Sequence, residues 1–276
     1  MTTPPSPGAP ADAELDLHEG RTPVLDAGEL YRLLHDGTPG DVEFYLRVCQ
    51  DSESVLELGA GWGRLAIPLA RQGQRVVAVD RDGEHLSRAS KLWREEAGAS
   101  DRLVVHQADL LELDLTERFD RVLLPYNVLY ALGGEANVTR AFRVALRHLS
   151  PDGEIWFDVY GMDGFDAEAR DGSAPGSDDD RDLVAQPLWN GSPLDVYERT
   201  SFDPSTRRLD VEYEAESNGQ PLLRTRLTHH YLLTSQLEAC LAAAGLELAV
   251  AWGGFDGGAL DEDAELFVGC AVPSSA

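Results

Sequence analysis

The sequence predicts an α/β fold, in which a mostly parallel sheet has helices on both faces and carries an inserted antiparallel β meander. Strand-length apolar runs alternate with amphipathic helical runs over residues 54–160, a pattern typical of parallel strands joined by crossover helices. A glycine-rich turn at residues 59–63 joins the first strand to its helix. Three alternating runs with no helix between them follow at residues 194–233, and these predict the meander.

Periodicity places the elements of the sheet in chain order. Apolar side chains recur at helical spacing over residues 25–37 and 41–49, so we expect one or two helices before the glycine turn. Five strands then alternate with helices, and a last helix and two strands close the chain. The strands are predicted at 54–59, 74–80, 102–109, from 118, 154–160, 246–252 and 264–272, and the helices at 64–73, 85–98, 137–149 and 234–245.

Four segments follow from this pattern. Residues 1–20 are rich in proline and small residues and are predicted to be a disordered tail. Residues 21–160 hold the first helices and most of the sheet, and residues 234–276 complete it. Between them, residues 161–233 form the insertion. Its first part, residues 161–182, is acidic and glycine-rich, which predicts a long mobile loop before the meander.

Composition excludes several classes of function. The formal net charge of -26 disfavours nucleic-acid and anionic-membrane partners. No apolar stretch approaches the roughly 20 residues of a membrane span, and the first residues lack the pattern of a signal peptide. Cys49, Cys240 and Cys270 have neither a disulfide framework nor metal-ligand spacing. We therefore expect a cytoplasmic protein without a metal, as a monomer or a homodimer.

The glycine turn is the predicted ligand site. Ligands of open parallel sheets bind beyond the carboxyl ends of the strands, where glycines allow close approach and a helix start presents amide donors. Asp80 ends the second strand and can accept hydrogen bonds from both hydroxyls of an adenosine ribose. Asp109 ends the third strand and can accept one from the exocyclic amine of adenine, with Leu110 as apolar cover. The structural alternatives to these ligand-binding roles are tight packing for the glycines and helix capping for the aspartates.

A nicotinamide or flavin dinucleotide is the competing ligand, because Gly61, Gly63 and Ala66 also satisfy the GxGxx(G/A) pattern. Glu57 argues against it. A carboxylate near the end of a buried strand is costly unless donors surround it. Backbone amides of the turn, or the ammonium of an amino-acid ligand acting through a water, would provide those donors.

The chain resembles the class I S-adenosylmethionine-dependent methyltransferases. The residues that carry the resemblance are Glu57 to Gly63, Asp80, Ala108-Asp109-Leu110 and the stretch 119–132. It covers residues 25–160 and 232–272 and implies a Rossmann-like sheet of seven strands with a reversed last hairpin. The meander departs from the minimal fold and resembles the substrate-covering insertion of some small-molecule members. The implied cofactor is S-adenosylmethionine, with S-adenosylhomocysteine as product.

The resemblance also implies which residues contact the cofactor. Arg64 would face the methionine carboxylate, although a solvated helix residue is the alternative. Core packing is the alternative for the two tyrosines of the first helices. The implied set is Tyr31, Tyr45, Glu57, Gly59, Ala60, Gly61, Arg64, Asp80, Arg81, Asp109, Leu110 and Pro125.

Four residues are candidates for the catalytic step. Tyr126 and Asn127 follow the fourth strand at its carboxyl end, next to the expected methyl group. His229 and His230 could titrate near neutral pH, but neighbours on a strand face opposite ways, so at most one can point into the cleft. A structural role is the alternative for both histidines. His106 is expected in the core.

We expect an enzyme that methylates a small molecule, with nitrogen slightly favoured over oxygen or carbon as acceptor and natural-product metabolism as one setting. Methyl transfer from a sulfonium requires alignment and desolvation more than a base, so the lack of a catalytic triad fits. A non-catalytic S-adenosylmethionine-binding sensor or scaffold and a nicotinamide-dependent oxidoreductase are the alternatives.

Overall fold

A computed structural model describes residues 25–97, 100–171, 181–262 and 264–274. The predicted tail at 1–20 lies outside this range. Each predicted helix is present within three residues of its expected bounds, and α6 is additional. The α-helices are α1 (Ala27–Leu34), α2 (Asp41–Val48), α3 (Ala66–Gln72), α4 (Gly83–Ala97), α5 (Glu135–Arg147), α6 (Asp163–Asp171) and α7 (Thr234–Ala244).

Seven strands form one sheet, sheet A, in the order β12-β13-β5-β4-β1-β2-β3. Strands β1 to β5 pair in parallel, and β13 runs antiparallel to both β5 and β12. This confirms the predicted Rossmann-like sheet with a reversed last hairpin. Its strands are β1 (Ser54–Leu58), β2 (Arg75–Asp80), β3 (Leu103–Gln107), β4 (Phe119–Leu124), β5 (Leu149–Tyr160), β12 (Leu246–Trp252) and β13 (Leu266–Pro273).

Helices cover both faces of sheet A. On one face, Phe142 of α5 and Leu237 of α7 belong to a buried cluster with side chains of the central strands. On the other, Phe44 of α2, Leu69 of α3 and Trp93 of α4 form a second buried cluster. Strand β3 lies at the edge of the sheet, so the expectation that His106 is in the core is wrong: its side chain is exposed.

The insertion forms a second, antiparallel sheet, sheet B, in the order β11-β10-β9-β6. The predicted meander is confirmed. Asn218 and Gly219 connect β10 to β11 with φ of 51° and 72°, as a two-residue turn with two left-handed positions requires. The strands of the insertion are β6 (Asp182–Ala185), β7 (Leu188–Trp189), β8 (Ser192–Pro193), β9 (Asp195–Asp203), β10 (Arg208–Ser217) and β11 (Gln220–His230).

The predicted loop over 161–182 is wrong in part, because α6 occupies Asp163–Asp171. Asp166 accepts hydrogen bonds from Tyr231 Oη at 2.5 Å and Arg170 Nε at 2.6 Å. The Asp166–Arg170 pair is four residues apart, which stabilises a helix, and Phe165 packs on the core. Residues 172–180 of the predicted loop lie outside the described residues.

Helix α1 packs against sheet B. Leu25 and Leu30 form a small buried cluster with Leu194 and Val196 of the insertion and Ala215 of β10. This cluster is separate from the two that cover sheet A. We call α1 and sheet B together the cover, because they lie over the carboxyl ends of the parallel strands.

No helix in the described ranges is long and apolar enough to cross a membrane. The same ranges contain no group of three or more histidine, cysteine, aspartate or glutamate side chains that could hold a metal ion.

Leu30→Ala should lower the free energy of unfolding by about 2–5 kcal/mol, because it leaves a cavity between α1 and sheet B. Leu188→Ala is the matched control. It makes the same chemical change at a side chain that is 70% exposed, and should change stability by no more than about 0.5 kcal/mol. Urea unfolding of the full chain measures both. Equal stability of the two variants would contradict the packing of α1 on sheet B.

Candidate cofactor and acceptor site

A cavity of about 460 Å³ lies between the strand ends of sheet A and the cover. The predicted site residues line it, with the exception of Tyr45 and His230. Their roles remain predictions, but the fold brings them to one place. The parallel strands end at the same edge, so residues that are distant in sequence meet there.

The glycine turn is tied to the second strand. The amide of Gly61 donates to Asp80 Oδ2 at 2.7 Å, and the amide of Asp82 donates to Asp80 Oδ1 at 2.9 Å. Asp80 is therefore not a helix cap; Asp82 fills that role by accepting from the amide of Glu84 at 2.9 Å. The capping alternative does hold for Asp109, whose Oδ1 accepts from the amide of Leu111 at 2.9 Å. Both predicted aspartates also line the cavity.

Two glycines of the turn have left-handed backbones for different reasons. Gly59 has a φ of +83°, and a Cβ there would meet Val128 Cγ2 at 2.5 Å. Gly61 has a φ of +52°, and a Cβ there would have nothing within 4 Å. Gly59 therefore permits packing of the turn against the loop after β4. Gly61 leaves its open side to the cavity, which suits the close approach of a ligand.

Glu57 is a buried carboxylate with an incomplete set of partners. Its side chain is 2% exposed, and Oε2 has no hydrogen-bond partner. Burial raises the pKa of Glu57 to about 8; nearby Asp80 also raises it, while Arg64 and the amide of Ala66 lower it. The amide of Ala66, at the start of α3, is a donor to Glu57, and it lies outside the glycine turn that the sequence predicts as the source of backbone donors. The unpartnered oxygen leaves a place for a further donor, and a cationic one would favour the ionised form.

Arg64 is held by a residue that the sequence did not single out. Its Nη1 lies 2.7 Å from Oδ2 of Asp41 on α2, and its side chain is 13% exposed. The guanidinium also lies over the Tyr126 ring, 5.2 Å from its centroid. The solvated-residue alternative is therefore wrong. Because Asp41 balances the positive charge, Arg64 lines the cavity as half of an ion pair.

Tyr45 lies beneath the cavity wall. It is fully buried, and its hydroxyl donates to Asp158 Oδ1 at 2.5 Å. The same oxygen accepts from the amide of Tyr126 at 3.0 Å. The expectation that Tyr45 contacts the cofactor is corrected accordingly: it supports Asp158, which supports the loop after β4. An aspartate inside the apolar run EIWFDVY was the available signal for Asp158.

Tyr126 and Asn127 both have left-handed backbones, with φ of 54° and 61°. Such conformations cost free energy in residues other than glycine and persist only where the surroundings hold them. Asn127 Oδ1 accepts from the amide of Tyr160 at 2.7 Å, so this side chain also fixes the loop. The phenol ring of Tyr126 is left facing the cavity.

Two histidines on the cover face the cavity. His229 on β11 is 8% exposed, whereas its neighbour His230 is not part of the lining, as strand alternation requires. His35, at the end of α1, was not predicted; its Nδ1 lies 3.3 Å from Tyr126 Oη. Burial lowers the pKa of both His35 and His229 to about 4, so these two imidazoles are neutral at pH 7.

Comparison with known proteins bears on this site. Residues 55–153 match the family model described as a methyltransferase domain. This range holds the glycine turn, Asp80, Asp109 and Tyr126. Over these residues the chain is similar to methyltransferases. The match favours the methyltransferase interpretation over a nicotinamide-dependent oxidoreductase.

Curated relatives match the chain over part of its length. YqeM of Bacillus subtilis is 27% identical over 149 residues, which is 54% of this chain and 59% of YqeM. Ribosomal RNA small subunit methyltransferase A of Leifsonia xyli is 34% identical over 115 residues, 40% of this chain and 37% of that protein. The chain therefore spans less than two thirds of these relatives.

Solved structures match the chain over most of its length. The CcbJ methyltransferase of Streptomyces caelestis has a TM-score of 0.73 at 22% identity and covers 87% of this chain and 92% of its own. The sugar N-methyltransferase KedS8 of Streptoalloteichus has a TM-score of 0.65 at 21% identity. The match covers 95% of this chain and 98% of the KedS8 chain. At these identities the likeness shows the fold.

The cavity suits S-adenosylmethionine, the cofactor that the sequence predicts. The open side of Gly61 provides room, and the carboxylates of Asp80 and Asp109 are acceptors for hydroxyl and amine donors. The unpartnered oxygen of Glu57 is an acceptor for an ammonium.

Gly61→Ala and Gly59→Ala should separate ligand binding from packing. Both place a side chain on a left-handed backbone, at a cost of about 1 kcal/mol. Gly59→Ala should lose further stability through the contact with Val128. Gly61→Ala should instead weaken S-adenosylhomocysteine binding by about 10-fold or more, because its methyl group enters the cavity. Thermal unfolding and calorimetric titration measure the two effects, and unchanged affinity in a folded Gly61→Ala protein would remove Gly61 from the binding surface.

Glu57 should make the ligand-free protein less stable as pH rises. Its pKa is about 8 in the folded protein against 4.5 as a reference, so the folded state binds the extra proton between these values. The stabilisation is complete below pH 4.5 and is lost as pH rises through 8, with a slope of up to about 1.4 kcal/mol per pH unit. Glu57→Gln cannot titrate and is the control. Urea unfolding of both proteins from pH 5 to 9 should give diverging curves; parallel curves would contradict the raised pKa.

Proposed function

We propose that this protein transfers a methyl group from S-adenosylmethionine to a small-molecule amine enclosed between the strand ends and the cover. The observation that carries the proposal is the cavity itself. One wall holds the glycine turn, Glu57 and Asp80, and the opposite wall holds His35 and His229. A ligand on the first wall would therefore present its reactive end to the second.

When bound, S-adenosylmethionine provides an electrophilic methyl group on a sulfonium. The chain's own residues bind, orient and exclude water. Asp80 and Glu57 accept hydrogen bonds at the cofactor end, and Arg64 carries a charge that Asp41 balances. The cover excludes water from the reacting atoms. Alignment and desolvation of this kind lower the barrier of a bimolecular displacement by several kcal/mol.

The chemistry of the cover favours nitrogen as the acceptor. Both imidazoles are neutral at pH 7, so they can accept hydrogen bonds from an N–H group. Burial raises the pKa of Tyr31 to about 12 and shifts that of Tyr126 upward as well, so these phenols stay uncharged. Arg64 is paired with Asp41, which leaves it poorly suited to hold an anionic acceptor. The name of KedS8, a sugar N-methyltransferase, supports the same choice.

The cavity fits a small-molecule acceptor better than RNA, although a Leifsonia relative is named a ribosomal RNA methyltransferase. The net charge of -26 opposes a phosphate backbone. The cover places Leu227 and His229 over the cavity, which limits access to acceptors of small size.

Acceptor screening tests the proposal. Primary and secondary amines, phenols, indoles and carboxylic acids are each incubated with the full chain and S-adenosylmethionine, and S-adenosylhomocysteine is measured by mass spectrometry. We expect product with amines and little with carboxylic acids. Micromolar binding of S-adenosylmethionine without product from any class would support the sensor alternative. A Kd for NADH below that for S-adenosylmethionine would contradict the cofactor assignment.

A further inference from the structure

We propose that His35 orients the acceptor amine by accepting a hydrogen bond from its N–H group at Nε2, and that Tyr126 holds His35 in the tautomer this requires. The inference rests on the proposed function. It adds a specificity rule, because the reacting nitrogen must carry at least one hydrogen besides its lone pair. Primary and secondary amines qualify, and tertiary amines do not.

The placement of His35 is the first support. It follows α1 directly, so the cover carries it into the cavity. Its ring lies against Tyr31, with centroids 4.2 Å apart, and against the edge of Tyr213 at 5.6 Å. These contacts fix the plane of the imidazole. Nε2 is buried and has no hydrogen-bond partner among the described residues.

The second observation that supports the proposal is the fixed position of Tyr126. Its left-handed backbone is fixed by the hydrogen bond from its amide to Asp158, and Asp158 is in turn bound by the hydroxyl of Tyr45. The phenol oxygen therefore has a defined position, 3.3 Å from Nδ1 of His35. A chain of contacts thus extends from the core through Tyr45, Asp158 and Tyr126 to His35.

The tautomer of His35 follows from the hydrogen-bond partners that are available to each ring nitrogen. A buried N–H without an acceptor is rarer and costlier than a bare acceptor atom. The proton therefore belongs on Nδ1, where it is donated to Tyr126 Oη, and Nε2 keeps its lone pair. His35 stays neutral at pH 7 because burial lowers its pKa to about 4, against the opposing effect of Asp36. A neutral His35 can accept at Nε2 an N–H hydrogen bond from the uncharged amine, which is the nucleophilic form.

Methyl transfer to the amine requires no proton transfer to the protein. The nitrogen lone pair forms the new carbon–nitrogen bond, and the electron pair of the breaking carbon–sulfur bond remains on sulfur. The nitrogen keeps its hydrogens and leaves as an ammonium, which loses a proton to water after release. His35 contributes by directing the N–H toward itself, which turns the lone pair toward the methyl group.

The tautomer can be tested without any acceptor. In ¹⁵N-histidine spectra of the full chain, pyrrole-type and pyridine-type nitrogens have distinct shifts, and loss of a signal in His35→Asn assigns His35. We expect a protonated Nδ1 and a bare Nε2. Tyr126→Phe should shift His35 toward a tautomer mixture. A protonated Nε2 in the parent protein would overturn the proposal, whatever the outcome of the acceptor screen.

Turnover tests the role in catalysis, with the amine that the acceptor screen identifies in its primary, N-methyl and N,N-dimethyl forms. His35→Asn keeps an amide near the position of Nδ1 but lacks Nε2, and should lower kcat about 10- to 100-fold, while S-adenosylhomocysteine affinity stays within about 3-fold. Tyr126→Phe should lower kcat by about 3- to 10-fold and have little further effect in the His35→Asn background. His106→Asn, on the exposed edge strand, is the matched control.

The amine series gives the decisive contrast. The primary and N-methyl forms should react, and the N,N-dimethyl form should not. Conversion of the N,N-dimethyl form to a quaternary product at a comparable rate would overturn the rule, as would parent kcat in His35→Asn. Failure of every acceptor to react would instead count against the proposed function, and would leave the tautomer result to decide the claim about Tyr126.

Discussion

The hydrogen bond from the Gly61 amide to Asp80 is the interaction on which the site depends. It joins the turn after β1 to the end of β2, so the two strands share one rigid edge. The register of the parallel pair, with Leu58 opposite Val79, brings the two groups together. The left-handed turn and the open side of Gly61 lie at this junction. The two strands cannot change register without breaking this hydrogen bond, so this wall of the cavity has a fixed geometry.

Buried carboxylates organise the rest of the site. Asp158 accepts from Tyr45 and from the amide of Tyr126, and Asp41 pairs with Arg64. Each acid is compensated by donors from another element, which is the condition under which charge can be buried. These pairs connect α2, the turn before α3, β5 and the loop after β4. Glu57 and Asp158 each keep one oxygen without a hydrogen-bond partner among the described residues, and of the two only Glu57 lines the cavity.

The cover and sheet A contribute different side chains to the cavity. The strand ends provide carboxylates, an ion pair and glycines, whereas α1 and β11 provide two neutral imidazoles. The small cluster between Leu30 and the insertion joins α1 to sheet B, so one unit carries both histidines. In the proposed function, binding of the cofactor and orientation of the acceptor therefore fall to different parts of the fold.

The sequence by itself determined the alternation of strands and helices, the glycine turn, the meander and the aspartates at the strand ends, because these depend on local periodicity and backbone preference. It could not find α6 in an acidic stretch, where pairing of Asp166 with Arg170 and packing of Phe165 outweigh composition. Only the tertiary structure decided that Tyr45 supports Asp158, that Asp41 pairs with Arg64, and that His35 meets Tyr126. These contacts join residues 23 to 113 positions apart, and burial and pairing over such separations exist only once the chain has folded.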